Sequence, residues 1–163
     1  LPKTTIACVQ GAAMGGGFGL AACCDIVITQ KDAVFALSEV KIGLIPATIA
    51  PYVLRALGER QARRYFQTGE KFRGDTAHAI GFAHELAADG AEMEEKLSAI
   101  LSALRQNGPK AMAASKQLCL DLAGKPITPD LMNDTARRIA QTRAGAEARE
   151  GLSAFLEKRK AVW

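Results

Sequence analysis

Two stretches carry residues whose types and spacing can do chemistry. The first is Gly11-Ala-Ala-Met-Gly15-Gly16-Gly17-Phe-Gly19-Leu20-Ala-Ala-Cys-Cys-Asp25, where an apolar strand pattern passes through a glycine cluster into a helical pattern. Three consecutive glycines let the backbone approach another backbone or a ligand closely, and they permit positive φ. The amides that open the following helix have no partners inside it, and the helix dipole favours negative charge beside them. Such a turn can hold charge that develops on an oxygen during a reaction, and it serves equally as a plain strand-to-helix connection. The second stretch is Ser38-Glu39-Val-Lys-Ile-Gly43-Leu-Ile-Pro46, which sets one carboxylate among apolar residues. A carboxylate partly removed from water is a stronger proton acceptor near neutral pH; the other roles open to Glu39 are a helix N-cap or an exposed loop acid.

Positioning these two stretches takes a scaffold, and the hydrophobic pattern supplies one. Thr4–Gln10 is short, apolar and β-branched between Pro2 and Gly11, which suits a strand buried on both faces. A helix to about Cys24 follows the glycines, and Asp25–Thr29 and Ala33–Leu37 read as strands around the polar turn Gln30–Asp32. Strand, helix, strand in this order is the rhythm of an α/β protein. Thr48–Arg64 has helical spacing with Pro51 near its start and a break at Gly58, and Arg60, Arg63 and Arg64 read as a solvated face with Glu59 as partner. A turn at Gly69–Phe72, a short helix at Asp75–Ile80 and a last strand at Phe82–Leu86 complete this part, with His78 and His84 as structural residues.

Beyond Asp89-Gly90 the pattern is purely helical, with Met93, Leu97, Ile100, Leu101 and Leu104 on one stripe until Asn107-Gly108-Pro109. Helices are expected over Lys110–Leu122, over Pro129–Thr142 with Thr128 as its cap, and over Glu147–Lys160. The expected organisation is therefore a core of residues 1–88 and a helical region of residues 89–163. The apolar faces of the later helices are narrow and alanine-rich, which suits a subunit interface as well as a private core.

Composition narrows the function classes. The 163 residues, 48% hydrophobic and 23% charged, fit one folded domain. No apolar run approaches the roughly 20 residues needed to span a bilayer, and Leu1-Pro-Lys resembles neither a signal nor a transit peptide, so the cytoplasm is the expected location and no membrane partner is expected. Cys8, Cys23, Cys24 and Cys119 lie in apolar patterns without CxxC spacing, as buried reduced thiols would, and no metal site is expected. A net charge of +4 suits a polyanion, yet 6% aromatic content and the lack of a nucleic-acid-binding signature favour a phosphorylated small molecule over nucleic acid.

Three segments taken in order, Ile6–Ile26 through the glycine turn, Phe35-Ala-Leu-Ser-Glu-Val-Lys-Ile-Gly-Leu-Ile-Pro46, and Glu150-Gly-Leu-Ser-Ala-Phe-Leu-Glu-Lys-Arg-Lys160, closely resemble the crotonase, or enoyl-CoA hydratase/isomerase, superfamily. Leu37-Ser-Glu-Val, Ile45–Pro51 and Gly58–Phe66 bring the resemblance nearest to bacterial methylglutaconyl-CoA-type hydratases. The resemblance implies a partial spiral of ββα units followed by a helical trimerisation region, with this chain matching the C-terminal three fifths. One oxyanion-hole amide and much of the CoA pocket would then precede Leu1. It also implies an acyl-CoA thioester as substrate, no cofactor beyond the CoA that is part of that substrate, and a homotrimer or dimer of trimers.

Carried over position by position, the amide of Gly16 would be an oxyanion-hole donor within the turn of Gly15, Gly16 and Gly19, and Glu39 the catalytic acid/base. Ala47, Phe155 and Lys158 would lie by the acyl chain or CoA, the last two in a neighbouring subunit; core packing for Phe155 and a solvated charge for Lys158 remain open. Two departures from the pattern stand out. Gly19 occupies the place of the second glutamate of two-glutamate hydratases, and Ala47 follows Pro46 where many members have glycine. With one glutamate the family includes isomerases, so hydration of a 2-enoyl-CoA, double-bond isomerisation and a catalytically inactive assembly role are all expectations to weigh.

Overall fold

The computed structural model describes residues 1–163, and no helix in it is long and apolar enough to cross a membrane. Its contacts divide the chain into two compact units, Thr5–Leu101 and a second made of Leu1–Thr4 with Ser102–Trp163.

The first unit is built on two small sheets between which the first four strands alternate. β1 (Ile6–Val9), β3 (Ile26–Gln30) and β6 (Glu85–Ala87) form one sheet in the order β1-β3-β6, all parallel. β2 (Ala12–Met14), β4 (Val34–Ala36) and β5 (Phe72–Arg73) form the other, with β2 and β4 parallel and β5 antiparallel to β4. Helix α1 (Gly16–Ala22) follows β2, and α2 (Ala50–Thr68) follows β4 after a 3-10 turn at Glu39–Ile42. The strand–strand–helix recurrence is the expected α/β architecture. Two details differ from expectation. β2 emerges inside what reads as a glycine turn, and Cys8, on the strand β1 that pairs with β3, is exposed rather than buried. Cys23 and Cys119 are exposed as well, Cys24 is half-buried, and all four thiols are free.

Five aromatic rings gather where these elements meet. Phe18 of α1 and Phe35 of β4 are fully buried, with Phe72, Phe82 and Tyr65 almost so. Phe18 sits 4.5 Å from Phe82, 5.6 Å from Phe35 and 5.8 Å from Phe72, and Tyr65 sits 4.2 Å from Phe72, centroid to centroid. Burying a phenylalanine contributes about 1.5–3 kcal/mol, and tilted ring pairs add about 0.5–1.5 kcal/mol, so this cluster fixes α1 against both β4 and β5. α2 is broken at Gly58, whose φ of 74° and ψ of 159° no helix accommodates. Beside it Arg63 pairs with Glu59 at 3.6 Å, while Arg64 turns instead to Glu70 at 2.6 Å. α3 (Gly74–Ala79) leads into β6, and His84 Nδ1 accepts from the Val27 amide at 3.0 Å, a structural bond that ties this turn to β3.

α4 (Gly90–Arg105) lays Met93, Leu97 and Ile100 on Ile28, Ala87 and Ile6. The division between units therefore falls after Leu101 rather than at the boundary after residue 88, because the apolar stripe of α4 covers the outer face of the first sheet.

The second unit contains α5 (Pro109–Leu122), α6 (Pro129–Arg143) and α7 (Ala146–Leu156). Thr128 Oγ1 accepts from the Leu131 amide at 3.2 Å and caps α6 as expected. Glu147 at the start of α7 accepts from the Lys110 and Ala111 amides at 2.9 and 2.7 Å, supplying the cap that α5 lacks in its own sequence. α7 stops at Leu156 rather than continuing to Lys160, since Lys158 adopts φ 53° and the chain turns back. Glu150 holds that return: it takes two bonds from Arg159, at 2.6 and 3.1 Å, and one from the Val162 amide at 2.9 Å. Trp163 Nε1 donates to the Gln106 carbonyl at 2.9 Å.

The Arg159 hydrogen bonds, then the Val162 amide, hold the Glu150 carboxyl at about 2, below its ordinary 4.5. A depressed carboxylate contributes stability that is full above the unfolded value and is lost as pH falls toward the folded one. Glu150→Gln is therefore expected to flatten the dependence of stability on pH between about 4.5 and 2, read by thermal melts across that range. An unchanged acid limb would show that the clamp does not contribute.

Candidate active site

The site grows from the junction of β2 and α1. β2 ends at Met14, and Gly15 adds one more rung by donating its N–H to the Ala36 carbonyl at 3.0 Å. Gly15 then takes φ 47° and ψ −115°, a conformation open to glycine and strained for other residues. That turn starts α1 at Gly16. The helix is anchored at once by Phe18 in the aromatic cluster, and the Gly19 amide donates to the Gly15 carbonyl at 3.0 Å as its first regular bond. Gly16 and Gly17 are exposed at the opening of the helix, where amides lack intrahelical acceptors.

Glu39 arrives from the other direction. β4 pairs in register with β2, Met14 opposite Ala36, so the chain leaving β4 runs past the start of α1. After the fully buried Leu37 the chain folds into the 3-10 turn, held by Lys41 N–H to Ser38 O at 3.0 Å and Leu44 N–H to Glu39 O at 3.0 Å. Ser38 stands at the N-cap of that turn and Glu39 is its first residue, which removes the N-cap reading for Glu39. Its carboxylate lies against the glycine turn instead: a Cβ built on Gly15 would be 3.0 Å from Oε1. Oε2 is buried and has no hydrogen-bond partner. Buried polar atoms almost always have partners, so an orphan acceptor here is unusual and marks a place where a donor can be received.

The expected site residues fall into two groups. Gly15, Gly16, Gly19 and Glu39 share one corner of the sheet unit. Ala47 is exposed on the turn between Pro46 and α2, a turn closed by Ile49 and Ala50 amides on the Pro46 carbonyl at 3.2 and 2.9 Å. Phe155 and Lys158 belong to the other unit: Phe155 is 79% exposed at the end of α7, which excludes core packing within the chain, and Lys158 is a solvated residue just beyond that helix.

Ile49, which nothing in its residue type singles out, also belongs to this corner. Its side chain fills the space beside Gly19, with its Cβ 2.7 Å from where a Cβ on Gly19 would stand. The available signal is its position: Ile49 is the N-cap of α2, immediately before Ala50-Pro51, where Ser, Thr, Asp or Asn would supply a capping bond. An apolar residue there points to a packing role.

The family model described as enoyl-CoA hydratase/isomerase matches residues 1–163. Enoyl-CoA hydratase ACTT6 of Alternaria alternata is 38% identical over 156 residues, covering 94% of this chain and 51% of that protein. Among solved structures, an enoyl-CoA hydratase from Shewanella pealeana is similar with a TM-score of 0.94 and 44% identity, covering 99% of this chain and 60% of that one. Pseudomonas aeruginosa AtuE gives a TM-score of 0.94 at 42% identity, over 99% of this chain and 62% of its own. The chain thus spans about three fifths of the solved relatives and about half of the Alternaria protein.

Gly15→Ala is expected to cost about 1–3 kcal/mol of stability, the usual range for a residue forced into sparsely populated φ/ψ space, and to push the Glu39 carboxylate away. Urea denaturation measures the first; wild-type stability in the variant would show that the turn relaxes freely.

Proposed function

This chain belongs to the enoyl-CoA hydratase/isomerase family, and from that premise we propose that it carries the catalytic half of an acyl-CoA hydratase site in which Glu39 is the acid/base and the Gly16 amide stabilises the thioester oxygen. The observation that supports this most is the buried, unpartnered Oε2 of Glu39 beside the opening of α1. A carboxylate in want of a donor, next to amides in want of an acceptor, is complementary to an enolate forming from a thioester. In the forward reaction Glu39 takes a proton from water as hydroxide adds to carbon 3 of a 2-enoyl-CoA. The double-bond electrons move to carbon 2 and the thioester oxygen, where the Gly16 amide stabilises the enolate. Glu39 then returns the proton to carbon 2, so water is added with no net change in the protein. This cycle calls for no redox or metal cofactor, and CoA enters only as part of the substrate.

The names of the relatives support hydration, and the motifs nearest to methylglutaconyl-CoA-type enzymes support a branched or acidic acyl group. The second reading, an isomerase that moves a proton between carbons 2 and 4, is favoured by the lack of any side chain at position 19. Oligomerisation is part of the proposal too. The helical unit leaves Ile127, Met132, Ile139, Phe155 and Leu156 more than half exposed and buries only Ala154 of its hydrophobic residues fully, which fits a trimer or dimer of trimers.

In the full chain as the cell makes it, Glu39→Gln is expected to lower kcat on 2-enoyl-CoA by about 10²–10⁴-fold with the fold intact, measured by loss of the conjugated thioester absorbance. Full activity in that variant would end the proposal. Migration of the double bond of a 3-enoyl-CoA, without addition of water, would move the assignment to isomerase.

A further inference from the structure

The helix face that meets Glu39 carries a second position, and that position is closed. Gly15 and Gly19 are four residues apart and so lie on one face of the chain at the start of α1, a single turn from each other. The Glu39 carboxylate covers the first and the Ile49 side chain covers the second, its Cγ2 still nearer than its Cβ to the place of a Cβ on Gly19. Neither partner has freedom to retreat. Gly19 is buried and bonded on both sides, its amide to Gly15 O and its carbonyl to the Cys23 amide at 3.1 Å. Ile49 packs against the cluster of Phe18, Ala21 and Val53, and its backbone is tied to the Pro46 carbonyl at 3.2 Å and to the Val53 amide at 3.0 Å.

Resting on the acyl-thioester reading above, we propose that Ile49 is a specificity-determining residue: it closes position 19 to every side chain, so that Glu39 works at this face without a second carboxylate there, and it forms the apolar wall that limits the bulk of the acyl chain one helical turn from Glu39. The wall is half-buried, fixed by its packing, and flanked by no capping bond that would give it another purpose.

The test is a double-mutant cycle in the full chain with two readouts. Glycine is tolerated at the residue preceding a helix, so Ile49→Gly removes both obstructing carbons and keeps the start of α2. In an unobstructed helix Gly→Ala stabilises, so the sign of the effect is diagnostic. Gly19→Ala is expected to lower Tm, or to prevent folding, when Ile49 is present, and to be neutral or stabilising in the Ile49→Gly background. For specificity, Ile49→Gly alone is expected to shift the ratio of kcat/KM for a 2-enoyl-CoA branched at carbon 4 over a four-carbon 2-enoyl-CoA by about tenfold or more, the scale set by removing a few carbons from an apolar pocket. Equal tolerance of Gly19→Ala in both backgrounds, or an unchanged substrate ratio, overturns the proposal. Turnover with an unchanged ratio overturns it alone, whereas a wild-type chain that converts no acyl-CoA overturns the reading of function with it.

Discussion

The arrangement depends on one close approach, that of the Glu39 carboxylate to the backbone of Gly15. Two strands of one small sheet, β2 and β4, run parallel and in register, so the chains leaving their ends emerge side by side. One must turn into a helix and the other into a 3-10 turn within the same small volume. Both can do so only because position 15 has no Cβ and adopts positive φ. The contact is held from behind by Phe18, whose ring is locked among three other phenylalanines and fixes the rotation of α1. A carboxylate oxygen is thereby kept out of water without a partner, a state that folding alone does not favour.

Much of this could be read in the sequence because the decisive residues are chemically unusual for their surroundings. A glycine triplet between a strand and a helix, and a glutamate in an apolar run, are conspicuous, and the register of two parallel strands does the rest. What escaped reading lacks such contrast. β2 is three residues of alanine and methionine, with no alternation to separate it from the glycine turn, and is defined by pairing with β4. Cys8 sits in an apolar run that reads as buried, and its exposure depends on what packs over β1, which periodicity does not carry. The early end of α7 comes from Glu150 and Arg159 gripping the returning chain, a contact made only once the turn exists. Ile49 is an ordinary isoleucine until Gly19 is placed beside it.

The two units use different means of cohesion. The sheet unit is organised by aromatic and aliphatic burial, and its polar bonds, such as Thr5 with Asp25 at 2.7 and 2.9 Å, sit at strand ends. The helical unit has little buried apolar surface and relies on charged links between helices. Arg138 of α6 joins Asp134 of its own helix to Asp121 of α5, at 2.7 and 2.5 Å, and Glu147 of α7 caps α5. Links of this kind fix geometry while leaving apolar faces uncovered.

The fit of Ile49 into the hollow of Gly19 also orders the routes by which such a sequence can change over generations. A substitution that gives position 19 a side chain meets an occupied space, so a descendant acquiring an acid there must first pass through a smaller residue at position 49. The reverse path has the opposite sequence: loss of the side chain at 19 comes first and enlargement at 49 follows. Residues 19 and 49 thus form a ratchet in which the second step makes the first hard to undo.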